Sequence, residues 1–197
     1  MKRSHTSLIA AFWAFMALCF FYDPSWALMR PLGTAEMTQN SDGVLAGTVT
    51  GVSSAWDVTG QRIVTRAKVK VTEVVRGVVT TQEVDVETLG GKVGDIVFKL
   101  SDMATFEKGQ DVLVFLKRTK SMLGAGEAYN VVGSAQGKYD VGADGIARKG
   151  GFSIATPALS QGQANMSAPG GAETVPEALI DNDIPVRDLI DKIKAVK

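Results

Sequence analysis

The chain has 197 residues, of which 21 are basic and 21 acidic, with one cysteine and one histidine. A formal charge of zero argues against general nucleic-acid or anionic-membrane binding, both of which rest on a cationic surface. The two special residues, His5 and Cys19, both lie near the amino terminus. Everything after them lacks the ligands of Cys/His zinc sites and of haem, the means to form an internal disulfide, and the base of Ser-His-Asp and Cys-His catalytic systems.

Lys2 and Arg3 precede an apolar run from Leu8 to Tyr22 that stops at Asp23 and Pro24. This is the layout of a secretory signal peptide, and the run falls short of the about 20 apolar residues that a spanning helix needs. Ser25, Trp26 and Ala27 place small residues where a signal peptidase requires them, so cleavage is expected after Ala27, with Leu28 as the new terminus. Cys19 is preceded by Leu18 and followed by Phe20 and Phe21, which argues against lipidation. Removal of residues 1–27 leaves 19 basic and 20 acidic residues and neither cysteine nor histidine. The product is expected to be exported, periplasmic or extracellular, and to meet a membrane only through the precursor's signal peptide.

Residues 28–43 are mixed and polar and read as a lead-in held loosely to the surface. Residues 44–149 read as one β domain. Val44 to Val52 carries Gly47 and Gly51, which allow the strong bend of a small closed barrel. A loop with Trp56, Asp57 and Gly60 follows. Ile63 to Val75 then alternates, with Ala67, Val69 and Val71 on one side and Arg66, Lys68, Lys70 and Thr72 on the other, until the pattern breaks at Val74 and Val75. Thr81 to Leu89 alternates again, Val84 and Val86 inward and Glu83, Asp85 and Glu87 outward. A hairpin centred near Gly77 and Val78 would set Lys70 against Asp85 and Lys68 against Glu87, a solvated charge ladder that sets register rather than a cation site or carboxylate pair.

Gly90 and Gly91 mark a turn before a short strand from Ile96 to Leu100. Val112 to Leu116 is a continuous apolar run, as expected for a strand covered on both faces. Thr119 to Gly126 reads as a mobile loop, and Tyr129–Val132 and Gln136–Val141 as strands. Asp144 and Gly145 suit a two-residue type I′ turn folding Ile146–Lys149 back on Lys138–Val141. Residues 150–180 turn to Gly, Ala, Ser, Pro and Gln and read as a flexible linker, with a glycosylation sequon at Asn165 that matters only in a eukaryotic secretory pathway. Residues 181–197 read as an amphipathic helix, with Asp183 near the cap, Pro185 in the first turn, and Val186, Leu189, Ile190 and Ile193 in one stripe that covers the chain's own barrel. Asp188 and Lys192 are spaced to pair on its outer face. Calcium at Asp181, Asn182 and Asp183 is disfavoured because the glycine and distal glutamate of a calcium loop are absent.

The segments Val44-Leu45-Ala46-Gly47-Thr48-Val49, Val74-Val75-Arg76-Gly77, Val84-Asp85-Val86, Lys108-Gly109-Gln110-Asp111-Val112-Leu113-Val114-Phe115-Leu116 and Tyr129-Asn130-Val131-Val132-Gly133 resemble a group of uncharacterised exported bacterial β-proteins. The first three strands also look like the netrin-like barrels of metalloproteinase inhibitors, which are of the oligonucleotide/oligosaccharide-binding (OB) type. That resemblance implies a mainly β fold, a small OB-like or netrin-like antiparallel barrel with a C-terminal helix, and a partner role toward an exported protease. Those inhibitors set an N-terminal cysteine on the catalytic zinc. A chain starting at Leu28 has none, so that wedge does not carry over.

The expected function is a non-enzymatic binding module with no cofactor and no metal. Its partner would be an exported protein, a protease among the options, or an envelope polysaccharide, met around Trp56, Met122, Leu123 and Tyr129. A structural envelope component is the alternative. A histidine-independent hydrolase would have to draw on Ser53, Ser54, Ser101, Asp57 or Asp95, and no motif sets any of these beside a base.

Overall fold

The computed structural model describes residues 31–77, 79, 81–149, 181 and 183–196. The expected signal peptide, the linker 150–180 with its sequon, Val78 and Asn182 lie outside the described residues.

The expected mainly β fold is found. A short helix, α1 (Thr34–Asn40), leads into β1 (Gly43–Trp56), β2 (Ile63–Gly77), β3 (Glu83–Leu89), β4 (Gly91–Val93), β5 (Ile96–Phe98), β6 (Asp111–Lys120) and β7 (Glu127–Val131). A 3₁₀ turn (Ser134–Gly137), β8 (Lys138–Val141), β9 (Ile146–Lys149), β10 (Ile184–Pro185) and α2 (Val186–Ala195) complete the order. In the large mixed sheet β1 pairs with β2, β2 with β3, β3 with β7 and β7 with β6, and β6 pairs back to β1. β8, β9 and β10 extend from β6.

β1 reaches both β2 and β6 because it bends. Its register against β2 shifts at Val44/Leu45, Ala46/Gly47 and Val49/Gly51, and each bulge adds local twist. Gly47 is the point of closest approach: a Cβ there would lie 2.3 Å from the carbonyl oxygen of Lys70.

Two apolar clusters flank this sheet, and β6 feeds both. Val112, Val114 and Leu116 join Leu45, Val49, Ala67, Val69, Val84 and Val86 in one cluster. Leu113 and Phe115 face the other way, onto Met37 of α1, Tyr139, and Leu189 and Ile193 of α2. The unbroken apolar run at Val112–Leu116 is therefore a strand buried on both faces, and α2 packs on the chain's own sheet. Each such side chain, fully buried, contributes roughly 1.5 to 3 kcal/mol.

Several expectations need correction. Residues 28–43 are no loose lead-in where described, since α1 buries Thr34, Met37 and Thr38, and Met37 clusters with Leu189 and Ile193 of α2. The β2–β3 register is displaced by two residues: Lys70 faces Glu83, Lys68 faces Asp85 and Arg66 faces Glu87. The reason is that β2 beyond Lys70 stays paired with β1 and leaves β3, so the turn is longer than a tight hairpin. Gln136 and Gly137 lie in the 3₁₀ turn rather than in a strand.

The β8–β9 hairpin forms as expected, but its turn spans Gly142 to Gly145, closed by the Gly145 N–H on the Gly142 carbonyl. Only Gly145 is left-handed there, so a type I′ turn is ruled out. Helix α2 begins at Val186, because Ile184 and Pro185 are drawn into pairing with β9. Asp183 therefore makes no cap and instead meets Arg148 at 3.3 Å. Asp181 is fully buried between Thr34 Oγ1, which donates to it, and Lys192 Nζ at 2.5 Å, so Lys192 turns to Asp181 rather than to Asp188.

Candidate functional site

Beyond its last bulge, β1 carries Val52, Ser54 and Trp56 opposite Ala67, Thr65 and Ile63 of β2. Cross-strand partners share a face, so these residues continue the face that carries Val49 and Val69 beyond the stretch of β1 that pairs with β6. Ser54 Oγ and Thr65 Oγ1 are 2.8 Å apart, and the threonine donates onward to the Gly90 carbonyl at 2.7 Å. Gly91 rests on both hydroxyls: with φ +135, a Cβ there would lie 2.4 Å from each. Glycine thus lets the β4–β5 hairpin fold over this end of the sheet.

Under the hairpin runs an open cleft of about 320 Å³, walled by Val52, Val97, Phe98, Leu100, Met103 and Phe106, with Ser54, Thr65, Lys92 and Lys99 at its polar edge. The hairpin leaves large apolar side chains in water: Ile96 is 54% exposed, Val97 63% and Phe98 41%. Three such neighbours on one short strand form a patch rather than scattered surface residues.

A second, smaller hollow of about 180 Å³ opens where the parallel strands β3 and β7, registered only at Val86 and Tyr129, diverge. Glu87, Met103, Met122 and Asn130 line it. Asn130 Oδ1 is buried there without a hydrogen-bond partner.

Glu87, expected in the solvated ladder, is 1% exposed. Its Oε1 accepts from Arg66 Nη2 at 2.6 Å, Arg66 Nε at 3.1 Å and Ser121 Oγ at 2.7 Å, and its Oε2 from the Met122 N–H at 2.7 Å. The Met122 carbonyl in turn accepts from the Val58 N–H at 3.0 Å. The loop read as mobile, Thr119–Gly126, is thereby tied to β3 and to the β1–β2 loop.

That β1–β2 loop is organised by Asp57. Its buried carboxylate accepts from Thr59 Oγ1 at 2.8 Å, the Gln61 N–H at 3.0 Å, the Arg62 N–H at 3.2 Å and Arg62 Nε at 3.0 Å. Burial works against the charged form, but these hydrogen bonds outweigh it and hold the carboxyl well below the usual carboxylate range.

The residues singled out from sequence do not converge on one surface. Trp56 is 40% exposed at the end of β1, on the cleft's face but beyond its walls. Met122 lines the smaller hollow, and the Leu123 N–H bonds Ser121 Oγ. Tyr129 is half buried against the inner cluster.

Sequence reasoning missed the Ile96–Phe98 patch, because a short apolar run reads equally as buried strand. It missed the Glu87 node because Ser121 and Met122 are 34 and 35 residues away. The Asp57-Val58-Thr59-Gly60 pattern was a legible signal, since aspartate and glycine at this spacing mark a self-bonded turn.

Ser54 Oγ is engaged with Thr65 Oγ1, and the carboxylates of Asp57 and Glu87 accept hydrogen bonds from the loops that they hold. Among the described residues no three acidic, histidine or cysteine side chains stand close enough to hold a metal. No family model, curated protein or solved structure matches the chain.

Proposed function

We propose that the chain is an exported, non-enzymatic binding module built on an OB-like barrel, and that the cleft under the β4–β5 hairpin receives its partner. The observation that carries this reading is that cleft, apolar-walled and about 320 Å³ in volume. Concave apolar sites with a few polar groups at the edge are the usual form of a binding site. The circuit β1-β2-β3-β7-β6 supports the barrel reading, since five strands pair in a ring that returns to β1.

OB barrels commonly bind on the face of their second and third strands. Here that face carries matched charges: Arg66 with Glu87 at 2.6 Å and Lys68 with Glu83 at 3.3 Å. Such a face has no cationic stripe for a phosphate backbone. The partner is accordingly another exported protein that inserts an apolar side chain, with an accessory or inhibitory role toward a secreted protease as the specific form. Two half-exposed aromatic rings, Trp56 and Phe98, favour one second reading, a polysaccharide of the envelope stacked on them.

The test is capture from the exported fraction with the unaltered chain, Val52→Glu and Trp56→Ala. Stoichiometric retention of a protease, lost with Val52→Glu, is the expected result. Retention of cell-wall polysaccharide, lost with Trp56→Ala, selects the second reading. Capture unchanged by either substitution removes the site. Hydrolytic turnover abolished by a single serine or carboxylate change overturns the non-enzymatic reading.

A further inference from the structure

The exposed hairpin strand has a symmetry in its own sequence. Ile96-Val97-Phe98 is flanked by Asp95, the second residue of the hairpin turn, and by Lys99, just past the strand's end, an acid and a base at equal distances from Val97. All five residues are exposed.

Among the described residues β5 pairs with β4 alone, in the register Val93 to Ile96, Lys92 to Val97 and Gly91 to Phe98. A two-residue turn makes the flanking pair, Val93 and Ile96, the hydrogen-bonded one. The next pair, Lys92 and Val97, therefore directs its N–H and C=O groups away from the hairpin. On β5 these groups point to the open edge, which is a template for another strand.

We propose that β5 pairs with β5 of a second copy of this chain, antiparallel and centred on Val97. In that register Val97 exchanges both backbone hydrogen bonds with its own copy. Asp95 lies opposite Lys99 twice, and Ile96 lies opposite Phe98 twice. Every contact is attractive, and the arrangement closes on itself about a two-fold axis, as an isologous interface must. A parallel pairing or a one-residue slip loses the charge matches. The two hairpins then form one four-stranded ribbon, β4-β5-β5-β4, which covers the apolar patch. An interface built on so short a strand buries less than the roughly 1,200 Å² of a standard complex, so the dimer is weak and concentration-dependent.

The experiment is sedimentation of the purified chain over a concentration series, with Asp95→Lys, Lys99→Asp and the double swap, circular dichroism establishing that each variant is folded. The unaltered chain is expected to dimerise. Each single change sets like charges opposite one another twice and is expected to weaken the dimer about tenfold or more. The double swap restores both pairs and is expected to recover the original affinity. Val97→Pro, which removes the central N–H, is expected to abolish dimerisation.

A chain that stays monomeric up to about 1 mM overturns the proposal. So does a dimer indifferent to the single changes, because it must form through another face. Partner capture through the cleft is read independently: a monomer that still retains its partner removes the self-pairing and leaves the binding role standing.

Discussion

Glu87 and Arg66 show how a pairing that starts as sheet register becomes structural. The cross-strand position brings them together, but the carboxylate is buried because the β6–β7 turn closes over it. Breaking a buried pair costs far more than losing a surface bridge. Glu87→Gln is expected to lower stability by about 3 kcal/mol in urea unfolding, and to loosen the Ser121–Gly126 turn in amide exchange. Lys68→Gln, on the exposed part of the same ladder, is expected to cost under about 1 kcal/mol.

Asp144 makes a second residue-scale case. The Arg148 guanidinium, and after it the Ile146 N–H, hold its carboxyl at about 2. Asp57 is likewise held low. A folded-state value below the unfolded value of about 3.9 adds stability that is complete above pH 4 or so, and is lost as pH falls through the folded value. Thermal melts are expected to be flat in this contribution from neutral pH down to about 4, and to fall between about pH 4 and 2. Asp144→Asn is expected to shallow that acid limb.

Among the elements, α2 is the clearest example of secondary structure held by what it covers. It has ten residues and no side-chain cap, too short to persist alone in water. Leu189 and Ile193 are fully buried against Leu113, Phe115 and Met37. The helix end is fastened by Arg76 to the Val196 carbonyl and by Lys192 to Asp181. Leu189→Ala is expected to cost about 2 to 5 kcal/mol in the same urea measurement, and to expose the outer face of β6. The β4–β5 hairpin depends instead on one backbone position. Gly91→Ala combines a strained φ with a clash on Ser54 and Thr65. It is expected to cost about 1 to 3 kcal/mol and to raise amide exchange in the hairpin while the rest of the sheet stays protected.

For the whole molecule, what matters is that a bent β1 is shared between two neighbours. β1 pairs with β2 along its whole length but with β6 only as far as Thr48, and beyond that stretch Val52 and Ser54 line a cleft. The same long strand places Val44 in the outer cluster and Leu45 in the inner one. Gly47→Ala tests this: a Cβ 2.3 Å from the Lys70 carbonyl forces the strands apart, and the expected result is a chain that does not fold cooperatively in thermal melts.

Local pattern alone determined much of this protein. The alternation at Ala67–Val71 and at Val84–Val86, the doubly buried run at Val112–Leu116, the β8–β9 pairing and the stripe of α2 were all legible, because strand and helix periods are written in neighbouring residues. Tertiary structure alone decided the β2–β3 register, the burial of Glu87, the docking of α1 and the exposure of Ile96–Phe98. Each of these depends on partners far away in the chain. Whether an apolar strand is core or surface, and whether a charge is solvated or enclosed, is set by what folds over it, and no local period records that.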